Sequence, residues 1–250
     1  MTTSEQDRNP FGPMEAAQEA ISYFKSHADE TRAAGLQRYF KDPVNNYGIE
    51  YRPYKEWKAE FLARLTGHWT IQEAVEFCDT MIEDPHMESR GIGYQVVGAF
   101  VEEADPDLLG QIRRWLEEAC GNWGLVDNLA PSVLSPLLRQ HPQLVPEVKG
   151  WTSSENQWVR RGAAVGFVSL VDDEGFRDAA YEVATELLDD KEDLIHKAVG
   201  WLLREAGKVD RDRLEAYLLD KGPRLPRTTL RYAIEKFPKE DRKRLLEATR

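Results

Sequence analysis

Trp158-Val159-Arg160-Arg161 and Leu194-Ile195-His196-Lys197 decide the fold of this chain, because the same block returns along it. With Met87-Glu88-Ser89-Arg90, Gly124-Leu125-Val126-Asp127 and Thr228-Thr229-Leu230-Arg231, it brings Arg90, Asp127, Arg161, Lys197 and Arg231 into one register at intervals of 37, 34, 36 and 34 residues. Small residues follow several of these positions: Gly91, Ala130, Ala163, Ala198, Gly200 and Ala233. A polar residue returning at this period inside apolar helices predicts a helical solenoid, in which each repeat packs only on its neighbours. The expected fold is an all-α helical-repeat solenoid, with the five registered residues forming a polar ladder down one wall.

Working outward, helical periodicity covers residues 14–40, 54–66, 71–83, 86–103, 106–119, 123–139, 142–150, 155–171, 174–189, 191–207, 210–220, 226–237 and 239–249, and no stretch alternates long enough for a strand. Thr70 with Glu73 predicts a capping box, and Ser153 or Ser154 is the expected cap of the helix beginning near Glu155. Prolines in Asp84-Pro85-His86, Asp105-Pro106-Asp107 and His141-Pro142-Gln143 mark turns. Residues 41–53 form the longest irregular stretch, and a loop of that length in a helical array is often functional. Residues 1–13 read as a disordered lead, and 14–250 as a single repeat domain.

Composition limits the function classes. Neither an apolar run near the ~18 residues of a membrane span nor a basic, apolar leader occurs, so the expectation is a cytoplasmic protein without a membrane partner. Cys78 and Cys120 lack metal-binding or disulfide spacing and the five histidines are scattered, so buried free thiols and no metal or cofactor are expected. A net charge of −11 opposes nucleic-acid binding at first sight, yet residues 201–250 hold 14 Lys/Arg against 9 Asp/Glu, which leaves −16 on the first 200. A basic C-terminal end on an acidic body can still grip a phosphate backbone.

Helical spacing groups the candidate residues. Trp123 and Asp127 share a face at i, i+4; Lys197, Trp201 and Arg204 share one at i, i+4, i+7; Trp158 and Arg161 stand at i, i+3. Because Asp127, Arg161 and Lys197 are ladder positions, these clusters should converge on one surface. Trp69, Trp115 and Trp151 read as core. An Asp127–Arg161 pair serving only stability is the structural alternative. A carboxylate among cations and aromatic faces suits a planar cation, since an aromatic ring attracts cations by ~0.5–2 kcal/mol. N-alkylated purines in DNA are such cations, and their departure needs no general acid, only stabilisation of the oxocarbenium sugar by a carboxylate.

At these residues the chain resembles the DNA alkylation repair enzymes, HEAT-repeat alkylpurine DNA glycosylases of the AlkD type. The resemblance runs from about Gly35 to Phe237. It rests on Leu36-Gln37-Arg38-Tyr39-Phe40 with Tyr47-Gly48-Ile49, on Asn122-Trp123-Gly124-Leu125-Val126-Asp127, on Asn156-Gln157-Trp158-Val159-Arg160-Arg161-Gly162-Ala163, and on His196-Lys197-Ala198-Val199-Gly200-Trp201-Leu202-Leu203-Arg204-Glu205. It implies a HEAT-like helical-repeat solenoid, curved with a concave DNA-binding face, and a base excision repair enzyme that hydrolyses the N-glycosidic bond of positively charged N3- or N7-alkylated purines in duplex DNA, as a monomer and without a metal. It further implies Asp127 as the catalytic carboxylate, Trp123 and Trp201 as rings lining the lesion, Arg161 as its basic neighbour, and Tyr39 and Arg204 as parts of the DNA-binding wall. Lys197, Trp158 and Arg231 join that wall as ladder and cluster residues. The alternatives are a non-catalytic paralogue that binds unusual DNA structure and a HEAT adaptor for proteins.

Overall fold

The computed structural model describes residues 11–250, and all its regular elements are helical. Of the expected lead, residues 1–10 lie outside the described residues, whereas 11–13 belong to the packed body. Pro13 opens α1 (Pro13–Ser26), the Glu15 carboxylate accepts from the Gly12 N–H (2.7 Å), and the Phe11 carbonyl accepts from the Trp69 indole N–H (3.0 Å). The chain divides into two compact units, one ending at Leu108 and one running Leu109–Arg250.

The first unit contains α1, α2 (Glu30–Leu36), α3 (Tyr51–Leu65), α4 (Ile71–Met81) and α5 (Met87–Phe100). Thr70 and Glu73 form the expected capping box on α4. The helix read through 14–40 is broken at residues 27–29, because Asp29 is extended and its carboxylate caps α2 by accepting from the Arg32 N–H (2.8 Å). Trp57 stacks on Tyr23 (4.3 Å between centroids) and on Phe61 (4.9 Å), which ties α3 to α1. The long loop is held rather than loose. Glu88 accepts from the backbone N–H groups of Tyr47 (3.0 Å) and Gly48 (3.0 Å), and Gly48 has φ +72 with its Cβ position 2.3 Å from the Asp29 carbonyl oxygen, which restricts the site to glycine.

The second unit contains α6 (Leu108–Glu118), which starts at the boundary, then α7 (Trp123–Leu129), α8 (Ser135–Gln140), α9 (Val145–Gly150), α10 (Gln157–Val165), α11 (Glu174–Glu186), α12 (Asp193–Val209), α13 (Arg211–Lys221), α14 (Arg227–Ala233) and α15 (Lys239–Ala248). Helices α7, α10, α12 and α14 pack side by side in chain order, and α9, α11, α13 and α15 form a second row behind them. This is a helical-repeat fold, with the period anticipated from the blocks around Asp127, Arg161, Lys197 and Arg231. Close approach in the first row needs small residues: a Cβ on Gly200 would lie 2.4 Å from the Tyr232 Cβ, so α12 and α14 touch only because position 200 is glycine. Trp115 and Trp151 are fully buried, as is Trp69 of the first unit, in keeping with their reading as core. Truncating such a ring costs on the order of 3–5 kcal/mol.

Two expected helices are interrupted. Residues 123–139 pass through a π turn at Ala130–Leu134, where Pro131 has no N–H for the Asp127 carbonyl four residues back. Residues 155–171 remain helical only to Val165, and turns follow from Gly166, whose carbonyl accepts from the buried Ser135 hydroxyl (2.8 Å). The cap of α10 is Asn156 rather than Ser153 or Ser154; its side chain accepts from the Trp158 N–H at 2.8 Å.

Candidate functional site

Asp127, Arg161, Lys197 and Arg231 are each the fifth residue of their helix, in α7, α10, α12 and α14. Asn122 and Asn156 fix the starts of α7 and α10 through side-chain caps, so Asp127 and Arg161 each lie five residues beyond a capping Asn. Arg90 does not belong to this register. It is the fourth residue of α5, and its Nε donates to the Asp84 carbonyl six residues back (3.1 Å). Arg160 makes the same bond to the Ser154 carbonyl (2.8 Å), and His196 Nε2 to that of Asp190 (2.6 Å); both are fourth residues. The true partners of Arg90 are therefore Arg160 and His196, side chains that fold back to satisfy turn carbonyls.

Arg161 is the centre of the arrangement. Its Nε donates to Asp127 Oδ1 (2.9 Å), its Nη2 to Asp127 Oδ2 (2.8 Å), and its Nη1 to the Leu194 carbonyl at the start of α12 (2.5 Å). One guanidinium thus joins three consecutive helices. It is 5% exposed, so its donors are spent inside the protein, and the expected direct contact of Arg161 with DNA does not fit this geometry. The Asp127 side chain keeps 19% exposure and remains reachable from outside. Burial pushes its carboxyl above the ordinary Asp range, opposed by the hydrogen bonds and charge of Arg161.

The other expected residues differ in their commitments. Trp123, Trp158 and Trp201 are half-buried, unlike the three core tryptophans, so each shows part of its ring to solvent on α7, α10 and α12. Lys197 is half-exposed and bonds Asp193 one turn back (2.8 Å); that hydrogen bond holds the Asp193 carboxyl below its usual range. Arg204 bonds Glu205 (3.3 Å) and Glu235, which leaves its charge matched by carboxylates. Arg231 is exposed and makes no ion pair with any described residue. Tyr39 belongs to the first unit, where it is 57% exposed with the Arg38 guanidinium 4.9 Å from its ring centroid. Asp127 and Arg161 are brought together, and Lys197 follows the carbonyl that Arg161 holds. Sequence spacing did not reveal that carbonyl, nor the buried Arg160–Asp190 pair (2.6 Å) that fixes the neighbouring turn.

Among the described residues no group of three or more His, Cys, Asp or Glu side chains is placed to hold a metal ion, Cys78 and Cys120 are buried free thiols, and no helix is long and apolar enough to cross a membrane. The arrangement can present a carboxylate, held by a buried cation, on a row of helices that also carries half-buried Trp123, Trp158 and Trp201 and the positive charges of Lys197 and Arg231.

Comparison with known proteins gives a family and a fold. The family model described as DNA alkylation repair enzyme matches residues 20–237. A solved structure described as a predicted DNA alkylation repair enzyme from Enterococcus faecalis superposes with a TM-score of 0.74 at 17% identity, covering 85% of this chain and 98% of that one. Curated proteins give no significant match.

Proposed function

The chain belongs to the DNA alkylation repair enzyme family, and from that premise we propose that it is a monofunctional DNA glycosylase acting on positively charged N3- or N7-alkylated purines in duplex DNA. The observation that carries this reading is the Asp127 carboxylate, held at both oxygens by Arg161 yet still 19% exposed, on the helix that also presents half-buried Trp123. The open edge leaves the carboxylate available to a ligand as well as to Arg161.

The chemistry follows from charge. The C1′–N bond of an alkylated purine breaks with both electrons passing to the base, which leaves neutral, and positive charge develops on the sugar. Asp127 stabilises that charge, water adds at C1′, and its proton passes to the carboxylate or to solvent. Arg161 acts as a positioning residue: it fixes the rotamer of Asp127 and favours the ionised form. Trp123 and Trp201 receive the cationic base on their exposed faces, with Trp158 on the helix between them. Lys197 and Arg231 contact phosphates, whereas Arg204, matched by Glu205 and Glu235, shapes the wall more than it binds the backbone. On this reading the protein works as a single HEAT-like repeat domain and as a monomer. Incubation with methylated duplex DNA and assay of free 3- and 7-methylpurine tests it: release above the spontaneous rate supports the reading, and no release removes it.

A further inference from the structure

We propose that the groove between α14 and α15 is a second phosphate-binding track that lengthens the duplex footprint beyond the Asp127 ladder. The inference rests on the DNA-repair reading above but not on its glycosylase chemistry. Helix α15 has two faces with different fates. One is used for packing: Leu245 is fully buried, Arg244 bonds Glu215 of α13 (2.7 Å), and Asp241 bonds Arg211 at the start of α13. The other carries Lys239, Arg242, Lys243 and Leu246 at i, i+3, i+4 and i+7, and lines a groove of about 590 Å³ together with Arg231 and Arg250.

None of these five cations makes an ion pair or a side-chain hydrogen bond to another described residue. Elsewhere in the unit arginines are matched, Arg139 by Asp172, Arg213 by Asp178 and Arg224 by Asp189. Three carboxylates share the groove, but Glu235 is already held by Arg204 and Lys236, which leaves only Glu240 and Glu247 against five free positive charges. The chain as a whole carries a net charge of −11, so the positive charge of this groove runs against the overall balance. Its members are long and exposed, and of the ten side chains that line it only Leu246 and the 1% exposed Ile234 are apolar residues. That suits a run of spaced phosphates, contacted without base reading, better than an apolar protein segment. Arg231 supplies continuity, being both the fifth residue of α14 in the ladder and a wall of the groove.

The test uses the full chain and undamaged duplex DNA, with affinity measured across a range of salt. The triple variant Lys239→Gln, Arg242→Gln, Lys243→Gln should bind more weakly at low salt by at least ~tenfold and show a log–log salt slope shallower by about two to three units, near one unit per lost phosphate contact. A control with Arg139→Gln, Lys149→Gln and Arg213→Gln removes the same charge from residues paired with Asp172, Glu182 and Asp178, and should keep the parent slope. An unchanged slope in the groove variant overturns the inference. So does an equal change in the control, which would reduce the effect to net charge, and so does retained DNA binding with lost binding of polyglutamate, which would assign the groove to an acidic protein. A protein that binds duplex through the groove but releases no base leaves this inference standing and removes the glycosylase reading; a parent that binds no duplex removes both.

Discussion

Arg161 holds both carboxylate oxygens of Asp127, Nε to Oδ1 at 2.9 Å and Nη2 to Oδ2 at 2.8 Å, across two neighbouring helices of the repeat row. The paired fork fixes the direction of the carboxylate, and the third contact of Arg161, to the Leu194 carbonyl, fixes the fork itself. The pair therefore belongs both to the stability of the array and to the chemistry assigned to Asp127. The two roles separate under mutation.

Arg161→Met removes the only cation bonded to Asp127 among the described residues and strands a largely buried carboxylate and a carbonyl. Losing one partner of a buried pair costs about 3–5 kcal/mol, so the urea midpoint should fall clearly, while Arg161→Lys, which keeps the charge but not the fork, should recover only part of the loss. Equilibrium unfolding of the three proteins checks this, and equal stability in all of them would show that the pair contributes nothing.

The pH profile of excision should carry the mark of burial. The reaction requires ionised Asp127, and burial holds its carboxyl above the ordinary Asp value of about 3.9, so the acidic limb of the single-turnover rate should lie above that value. Arg161→Gln removes the opposing influence and should move the limb further up. The sign for stability is the reverse: the native carboxyl binds its proton more tightly than the unfolded chain does, so its contribution is greatest at low pH and is lost as pH rises through its native value. Matching acidic limbs in parent and Arg161→Gln would contradict this account.

Salt should distinguish free cations from committed ones. Arg231→Gln removes an exposed guanidinium that pairs with no described residue and should make the log–log slope of DNA affinity shallower by close to one unit, whereas Arg204→Gln removes a guanidinium already matched by Glu205 and Glu235 and should change it little. Binding titrations at several salt concentrations give both slopes. The reverse order would return Arg204 to the backbone-binding wall.

Trp123→Ala and Trp201→Ala should weaken engagement of a methylated purine by ~1–2 kcal/mol, the size of a partly desolvated cation–π contact. Bulky adducts with less localised charge should be less affected. The comparison is the protein concentration giving half-maximal single-turnover rate for each substrate, and equal loss on both would assign the rings to packing.

The repeat was legible in the sequence because the fifth positions of α7, α10, α12 and α14 are all charged and return after 34, 36 and 34 residues. Arg90 was misplaced by one residue, since a polar side chain that turns back to a carbonyl looks the same in sequence as one that faces outward; Arg160 and His196, in the neighbouring position, carried the missing signal. The breaks at Asp29 and at the π turn were underestimated because Asp29 caps from inside a periodic stretch and Pro131 distorts a helix without ending it. Burial of Arg161 was not legible at all. The register set Arg161 opposite Asp127 and apart from Arg160, but only packing shows that Arg160 serves Asp190 and that Arg161 is enclosed. The basic face of α15 was foreshadowed by the charge of residues 201–250, but its freedom from partners appears only when the other arginines find theirs.

The central claim is that Asp127 stabilises the departing sugar, and Asp127→Asn tests it most directly. The amide is nearly isosteric but can accept only one of the two Arg161 hydrogen bonds, so the protein should lose stability while its circular dichroism and DNA affinity, measured below its unfolding transition, stay close to the parent. Single-turnover release of 3- or 7-methylpurine from a defined duplex at saturating protein should nevertheless fall by roughly 10²–10³-fold, the loss expected when a charge interaction made in the transition state is removed. Release by Asp127→Asn at the parent rate would contradict the account and leave the Asp127–Arg161 pair as a strut between helices.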